Sequence, residues 1–341
     1  MEVIKRISSK LHYPNPVVTI GNFDGVHLGH QKVFLKVAEK AAEINGTPIA
    51  VTFAPHPVRV LAPERGLKMI TTLEEKRELI ARMGIEVLIC ITFDKAFSHM
   101  TPDDFIRDVL VEKIGAHWAI VGHSYSFGKG KKGTTAMLRI RGKKYGFKVS
   151  VVRYAQLHGE KVSSSRVRSA LSRGRVCEAA CMLGRAYHIE GTVVKGAGRG
   201  GPLLHTPTAN LSTSHELIPR EGVYAVRVSM KGRPLPSGNG SETKRIWPPF
   251  SLHPSPGTEV FDGVANIGRN PTFPDGVMNY EVHIFGFNRN IVGERLRLHF
   301  IDRIRDEKKF SGIPELQEHI RRDIATAGTI LDRKKNVPLF L

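Results

Sequence analysis

Short apolar runs alternate with amphipathic stretches along the first half of the chain. The runs have the length of buried strands and lie at 16–20, 48–53, 86–93, 118–121 and 148–152. Apolar residues recur at helical spacing over 31–44 and 73–83, and Thr101 followed by Pro102 predicts a helix over 101–111. This alternation predicts a doubly wound α/β domain, whose parallel sheet is covered on both faces. Ligands of such sheets bind at the carboxyl ends of the strands.

The pattern changes in the second half, where strand-like segments are separated by Gly, Pro and Asn. These segments lie at 188–195, 222–230, 261–267, 279–285 and 296–300. The apolar positions alternate over 224–228, which predicts a half-buried antiparallel strand, and helical spacing returns over 314–325. We therefore expect a small antiparallel β-barrel or sandwich with a terminal helix. The domain boundary is predicted between residues 183 and 184.

One segment of the second half has no periodicity at all. Residues 234–258 are rich in Pro, Gly and Ser, which predicts a long surface insertion. The 341 residues are 41% hydrophobic and 24% charged, proportions that are typical of globular domains, and the length fits two of them.

Charge is distributed unevenly. The chain has 51 Lys and Arg against 32 Asp and Glu, a net charge of +19, and it has no acidic residue from Lys113 to Gly159. This segment contains a cluster of basic residues: Lys129, Lys131, Lys132, Arg139, Arg141, Lys143, Lys144 and Lys148. Such a face attracts a nucleotide triphosphate, a nucleic acid or an acidic membrane surface, or it is a solvated surface with no specific partner.

Membrane and disulfide chemistry are not expected. No apolar stretch approaches the roughly 18–20 residues of a membrane span, and the N-terminus has no apolar core of a secretory signal. The three cysteines, Cys90, Cys177 and Cys181, are too few for a disulfide framework. We therefore predict a cytoplasmic protein.

The segment GNFDGVHLGH, residues 21–30, follows a predicted strand and precedes a predicted helix. Glycines let the backbone turn tightly, and the N-terminus of a helix favours phosphate through its amide donors and dipole. His27 and His30 would lie at that N-terminus, where two imidazoles can donate to a phosphate chain together. A zinc site is the competing interpretation, although no other ligand set has suitable spacing.

Several motifs occur in the order of a known family. The turn resembles that of the HxGH nucleotidylyltransferases, and three segments resemble bacterial FAD synthetases: TFAPHP at 52–57, VGHSYSFGKGKKG at 121–133 and VSSSRVR at 162–168. Five later segments resemble riboflavin kinases: GTVVKG at 191–196, PTANL at 207–211, GVY at 222–224, NIG at 266–268 and EVH at 281–283. Over nearly its whole length the chain resembles the bifunctional riboflavin kinase/FAD synthetase family.

For the first domain, the resemblance implies that FMN is joined to the AMP part of ATP and that pyrophosphate is released. Positioning and positive charge would supply the catalysis without a covalent nucleophile. The resemblance assigns phosphate chemistry to His27 and His30. It implies ATP contacts at Gly21, Phe23, Gly29, Ser163, Ser164 and Arg168, and flavin contacts at His56, Ser124 and Phe127. Without the resemblance, Ser163–Ser165 would be read as a simple helix N-cap.

For the second domain, the resemblance implies transfer of the γ-phosphoryl group of ATP to the riboflavin 5′-hydroxyl. Glu281 occupies the position of the catalytic base, Gly191 and Gly196 lie in the ATP-binding opening, and Thr208 and Asn210 match the magnesium–nucleotide contact. Without the resemblance, a single Glu on a strand would be read as a solvated residue.

Departures from the family pattern leave alternatives open. His205 replaces a glycine, Thr206 an apolar residue and Asn270 an arginine, all in the kinase domain, and Ser124 replaces Asp or Asn in the synthetase domain. The main prediction is a magnesium-dependent transferase that acts on riboflavin, FMN and ATP. The first alternative is that only the adenylyltransferase is active.

The second alternative belongs to another class, a protein that binds RNA or DNA through the basic segment 113–153. Four aromatic residues are interleaved with its cations, as such binding requires: Tyr125, Phe127, Tyr145 and Phe147. Nucleic acid is not the expected partner. A homo-oligomer stays open.

Overall fold

The structure, a computed structural model, describes residues 1–7, 9–195, 207–231, 258–269 and 278–339. The chain divides into two compact units, Met1–Ser164 and Ser165–Leu341. The predicted insertion 234–258 lies outside the described residues except at Thr258, and Gly196, His205, Thr206 and Asn270 lie outside them too.

The first unit is built on one parallel sheet. Its strands are β1 (Glu2–Ile4), β2 (Val17–Ile20), β3 (Pro48–Ala54), β4 (Val87–Thr92), β5 (Trp118–Gly122) and β6 (Lys148–Val152). They lie in the order β1-β4-β3-β2-β5-β6, and all neighbours are parallel. Every residue of β2 is buried, because helices cover both faces of a sheet of this kind. The predicted doubly wound domain is confirmed.

The helices of the first unit connect these strands. They are α1 (Leu28–Glu43), α2 (Pro57–Leu61), α3 (Leu73–Arg82), α4 (Lys95–Ser98), α5 (Pro102–Asp104, continued as a π-helix over Phe105–Lys113) and α6 (Thr135–Tyr145). Single 3₁₀ turns lie at Pro63–Arg65 and Lys129–Lys131, and short two-stranded ribbons pair Ser126–Phe127 with Gly133–Thr134 and Gln156–Leu157 with Glu160–Lys161. The cap predicted at Thr101 is present, since its hydroxyl accepts a 3.1 Å hydrogen bond from the Asp104 amide.

Besides the short helices, turns and ribbons, strand β1 and helix α6 of the first unit were not predicted. Strand β1 has only three residues, too few for a periodic signal, and it is placed by its pairing with β4. Helix α6 lies inside the basic segment, and only Leu138 and Gly142 of this helix are buried. Its apolar residues do not recur on one face, since Leu138 is buried while Ile140 is exposed, so helical spacing does not mark this segment.

The second unit begins with α7 (Ser164–Ser172, whose first residue belongs to the first unit) and α8 (Val176–Leu183). A closed barrel follows, with strands β7 (Tyr187–Val194), β8 (Ala209–Thr213), β9 (Gly222–Lys231), β10 (Thr258–Arg269), β11 (Met278–Ile284) and β12 (Arg295–Arg305). Their order is β7-β8-β11-β10-β9-β12, and all described neighbours are antiparallel. Of the two predicted architectures, the barrel is the one that forms.

Helix α9 (Ile313–Arg333) covers one side of the barrel and corrects one expectation. Strand β9 was predicted to be half-buried, yet residues 222–230 are all buried. Val223 and Ala225 lie in a hydrophobic cluster with Ala327 and Leu331 of α9. Local alternation cannot reveal that a helix from the far end of the chain covers the outer face of a strand.

The predicted domain boundary at 183/184 stays a prediction. By contacts the chain divides at Ser164, so that α8 and nearly all of α7 are grouped with the barrel. A hydrogen bond joins α8 to β12, since the Cys177 thiol donates to the Ile301 carbonyl at 3.1 Å.

Candidate active sites

The turn between β2 and α1 is held in an unusual backbone conformation. Phe23, Gly25 and Val26 all have positive φ angles, of 51°, 79° and 42°. Non-glycine residues rarely adopt this region, so the surrounding structure must enforce it. The rings of Phe23 and Phe34 pack at a centroid distance of 4.6 Å, and Phe23 is buried.

Asp24 anchors the same turn from within. Its carboxylate, 1% exposed, accepts hydrogen bonds from the amides of Ile70 at 3.1 Å and Thr71 at 3.3 Å. Its backbone carbonyl accepts a 2.9 Å hydrogen bond from the hydroxyl of Ser164. The predicted phosphate-binding Ser164 therefore contacts the histidine turn through Asp24, although the two are far apart in sequence.

The two histidines of the turn are brought together as predicted. Their rings stack at a centroid distance of 3.6 Å with an interplanar angle of 18°. His27 is the N-cap of α1, and its Nδ1 accepts a long 3.4 Å hydrogen bond from the His30 amide. With Nδ1 as the acceptor, Nε2 is the ring nitrogen that would carry the proton of a neutral His27.

His30 lies in the first turn of α1. Burial lowers the pKa of His30 well below its ordinary value of 6.5, and the charges of His27 and Lys76 lower it further. Its Nδ1 is buried and has no hydrogen-bond partner among the described residues. The imidazole is therefore neutral near pH 7, with unused hydrogen-bonding capacity beside the positive end of a helix.

Gly29 leaves room for the His27 ring, and Gly21 leaves room for the Phe23 ring. A Cβ at Gly29 would lie 3.1 Å from Cε1 of His27, and a Cβ at Gly21 would lie 2.8 Å from the Phe23 ring. Any larger residue between the two histidines would therefore crowd the His27 ring. The predicted ATP contacts at Gly21, Phe23 and Gly29 remain predictions.

Lys76 of α3 was not identified from the sequence. It is 4% exposed, and its ammonium donates to the Asn22 carbonyl at 3.2 Å and to the Thr52 hydroxyl at 3.4 Å. Desolvation lowers the pKa of Lys76, while the charge of Asp24 opposes this shift. A lysine in an amphipathic helix looks solvent-exposed in sequence, so only the fold shows that it supports the histidine turn.

The other predicted residues of the first unit occupy varied environments. His56 is the N-cap of α2, where its Nδ1 accepts from the Val58 amide at 3.2 Å. Ser124 is exposed, and its hydroxyl lies 2.7 Å from the ammonium of Lys161. Phe127 is 7% exposed and stacks on Tyr125 at a centroid distance of 5.3 Å within the core.

These positions leave the predicted flavin contacts of His56, Ser124 and Phe127 as predictions. Ser163 is partly buried at the start of α7, and Arg168 lies on α7 in the second unit. Their predicted contacts with phosphate also remain predictions.

The barrel brings the predicted kinase residues onto neighbouring strands. Glu281 of β11 is directly paired with Asn210 of β8 on one side and with Asn266 of β10 on the other. Its Oε1 accepts a 2.7 Å hydrogen bond from the side-chain amide of Asn279, and Glu281 is partly exposed. The predicted base and a predicted magnesium ligand are therefore adjacent, and Thr208 lies exposed just before β8.

His283 and Gly191 complete the description of this site. An imidazole nitrogen of His283, two residues after Glu281, lies 2.9 Å from the Pro207 carbonyl and so helps to position the segment that carries Thr208. Gly191 of β7 is buried, and a Cβ there would lie 2.5 Å from the Ser212 carbonyl oxygen of β8. Close approach of the two backbones requires glycine at this position.

The donor set at this site fits magnesium rather than a softer metal. A threonine hydroxyl and an asparagine amide offer neutral oxygens, and magnesium keeps several waters while taking few protein ligands. Within the described ranges, no three side chains of His, Cys, Asp or Glu are grouped so as to hold a metal ion. In the same part of the chain, no helix has the length and apolar character needed to cross a membrane.

Comparison with known proteins agrees with this geometry. Residues 10–166 match the family model of FAD synthetase, and residues 183–331 match that of riboflavin kinase. A bifunctional riboflavin kinase/FMN adenylyltransferase of Haemophilus influenzae is 33% identical over 322 residues, which span 93% of this chain and 96% of the relative. One from Bacillus subtilis is 36% identical over 315 residues, 90% of each chain.

A solved structure shows that the similarity extends to the fold. A structure described as a macrolide-efflux protein from Streptococcus pneumoniae matches with a TM-score of 0.79 and 29% sequence identity, covering 97% of this chain and 98% of that one. Both halves are thus matched in order and over nearly their full length. The chain belongs to the bifunctional riboflavin kinase/FMN adenylyltransferase family.

Proposed function

We propose that this chain phosphorylates riboflavin to FMN with ATP and then adenylylates FMN to FAD with release of pyrophosphate. The observation that carries the proposal is the presence, in one chain, of both matched regions, each of which contains its own candidate site. The first unit contains the stacked histidines at a helix N-terminus, and the barrel contains a carboxylate paired with an asparagine.

The histidine turn suits adenylyl transfer. Negative charge grows on the α-phosphoryl oxygens and on the leaving pyrophosphate in the transition state, so preorganised donors lower the barrier. His27 and His30 supply imidazole donors next to the amide groups of the first turn of α1. Hydrogen bonds of the buried Asp24 and Lys76 hold the turn, which keeps these donors in place before the substrate binds.

The barrel site suits phosphoryl transfer to an alcohol. Glu281 would accept the proton of the riboflavin 5′-hydroxyl as that oxygen attacks the γ-phosphorus of ATP. The hydrogen bond from Asn279 to Oε1 fixes the carboxylate and leaves Oε2 to face the alcohol. Thr208 and Asn210 would hold a magnesium ion, which neutralises phosphate charge when it is bound.

Chromatography of flavins tests the proposal directly. Purified protein is incubated with riboflavin, ATP and Mg²⁺, and the flavins are separated over time. We expect FMN to appear first and FAD to follow. If FAD forms only when FMN is supplied, only the adenylyltransferase is active. If neither flavin nucleotide forms and the protein instead binds oligonucleotides in a salt-sensitive manner, the enzymatic proposal is wrong.

The remaining parts of the proposal concern metal and location. We propose magnesium as the ion because the candidate ligands are neutral oxygens, and omission of Mg²⁺ should abolish both products. We propose a cytoplasmic location because the three cysteines are unpaired, as is expected in a reducing compartment. A homo-oligomer is an open alternative that light scattering would test.

A further inference from the structure

A surface cavity lies at the edge of the sheet opposite the histidine turn. Trp118 begins β5 and Lys148 begins β6, so both stand at the amino ends of parallel strands, whereas the histidine turn follows the carboxyl end of β2. The cavity has a volume of about 520 Å³ and is also lined by Arg139 and Lys143 of α6. This volume is within the range of small-molecule sites.

Two of the cations around this cavity have no acidic partner among the described residues. Arg139 and Lys143 are exposed, stand four residues apart on one face of α6, and form no ion pair or hydrogen bond with any described residue. Glu43 lowers the positive potential near Lys148, but its carboxylate is already hydrogen-bonded to Lys40 at 2.5 Å. A cation in the last turn of a helix also complements the helix dipole, which accounts for Lys143 but not for Arg139 one turn earlier.

The floor of the cavity is aromatic and fixed in position. The indole of Trp118 donates a 2.9 Å hydrogen bond to the Ser150 hydroxyl, and the ring is half-buried. The ammonium groups of Lys40 and Lys148 lie 4.4 and 5.0 Å from its centroid. Phe147 is buried beside it, and Gly146 leaves the rim open because a Cβ there would meet nothing within 4 Å.

We propose that this cavity binds a nucleoside phosphate at a site separate from both active sites. The guanidinium of Arg139 and the ammonium of Lys143 would hold the phosphate groups, since a guanidinium binds phosphate through paired hydrogen bonds. The exposed Lys148 would turn its ammonium from the indole of Trp118 towards the phosphates, and the planar base would take its place against the ring. The site accounts for cations of the basic segment that the two reactions do not use, and it does not depend on the proposed function.

Calorimetric titration with ADP tests the site in the full-length protein. The double variant Arg139→Gln/Lys143→Gln should lose one equivalent of bound ADP, or bind that equivalent at least tenfold more weakly. Because both side chains are exposed and unpaired, folding and the rate of FAD formation should stay unchanged. The variant Lys32→Gln/Lys36→Gln removes two cations at the same spacing on α1 and should retain every equivalent.

Three results would overturn the proposal. The first is the same ADP stoichiometry and affinity in the double variant as in the unaltered protein. The second is that inorganic triphosphate binds as tightly as ADP and quenches tryptophan fluorescence to the same extent. That result would show that the base makes no contact with Trp118. The third is a double variant that no longer binds a short single-stranded oligonucleotide but still binds ADP as the unaltered protein does. That result would make this face a nucleic-acid surface instead.

Discussion

At the scale of single residues, burial keeps His30 neutral, and a lysine from another helix adds to this effect. His30 and Lys76 are electrostatically coupled across the histidine turn, and the ammonium of Lys76 disfavours a second positive charge nearby. The donors of the turn are therefore tuned by a residue that does not belong to the motif. Substitution of Lys76 should therefore change the pKa of His30 while the sequence of the histidine turn stays the same.

We predict that Lys76→Met raises the pKa of His30, because it removes a positive charge that opposes protonation while leaving the site buried. The pKa is measured from the pH dependence of the His30 ring resonances by NMR. Lys32→Met, at an exposed position of α1, is the matched control and should leave that titration unchanged. An unaltered His30 titration in Lys76→Met would show that the two groups are not coupled.

Residue spacing predicted the two histidines of this site but not the residues that reach it from remote segments. The HxGH spacing placed His27 and His30 correctly because both lie in one helical turn, where distance along the chain and distance in space agree. Lys76 and Ser164 reach the turn from remote segments. The resemblance pointed to Ser164 as a phosphate contact but not to its bond with Asp24, and nothing local distinguishes Lys76 from a solvent-exposed residue, so it was missed.

At the scale of elements, the terminal helix is joined to the barrel by a buried arginine. Arg227 of β9 lies at the C-terminal end of α9, where its guanidinium donates to the carbonyl of Leu331 at 2.9 Å and to those of Lys334 and Lys335 at 3.3 and 3.2 Å. A guanidinium at this end of a helix satisfies carbonyls that have no partner within the helix and complements the dipole.

We predict that Arg227→Met lowers the free energy of unfolding of the barrel unit by about 2–3 kcal/mol, the scale of hydrogen bonds made by a charged donor. Denaturant unfolding followed by circular dichroism gives this value. Arg289→Met removes an exposed arginine that pairs with Glu259, and it should cost less than about 1 kcal/mol. Equal losses in the two variants would refute the special role of Arg227.

The barrel unit also buries three histidines: His188 on β7, His299 on the adjacent strand β12, and His215 just after β8. The rings of His188 and His299 have centroids 5.2 Å apart, those of His188 and His215 are 6.1 Å apart, and Nε2 of His299 lies 2.9 Å from the Ser229 hydroxyl. Burial lowers the pKa of His299 to about 3 and that of His215 to about 4. Burial also lowers the pKa of His188 well below its ordinary value.

These depressed pKa values predict acid sensitivity. Above pH 6.5 the histidines are neutral in both states, and below it the unfolded chain takes up protons that the folded barrel does not. Stability therefore falls as the pH drops from 6.5 towards 4, by at most about 1.4 kcal/mol per histidine per pH unit. Hydrogen exchange of barrel amides across this range measures the slope.

The variant His299→Gln should reduce that slope by about one proton, since it removes one group whose protonation is coupled to unfolding. His319→Gln, at a partly exposed position of α9, serves as the control and should preserve the slope. A slope that is unchanged in His299→Gln would contradict the assignment.

At the scale of the whole molecule, the two reactions are assigned to separate units, so each should be lost independently. We predict that Glu281→Gln abolishes FMN formation while FMN is still converted to FAD, because only the barrel site loses its base. His30→Ala should have the reverse effect. Flavin chromatography with riboflavin or FMN as the starting substrate measures both steps.

The matched controls are Glu259→Gln, on a barrel strand, and His12→Ala, on the surface of the first unit; both should keep both activities. If Glu281→Gln or His30→Ala lost the two activities equally, the two sites would not be independent.

The sequence by itself determined the two architectures and the local motifs, because strand length, helical spacing and turn residues act between near neighbours. Short-range spacing also placed the two histidines on one turn of a helix. Tertiary structure decided which polar groups are buried, as with Lys76, Arg227 and His299, and which distant strands meet, as with Glu281 and Asn210. Burial and strand pairing depend on contacts between remote segments, and no local pattern encodes those contacts.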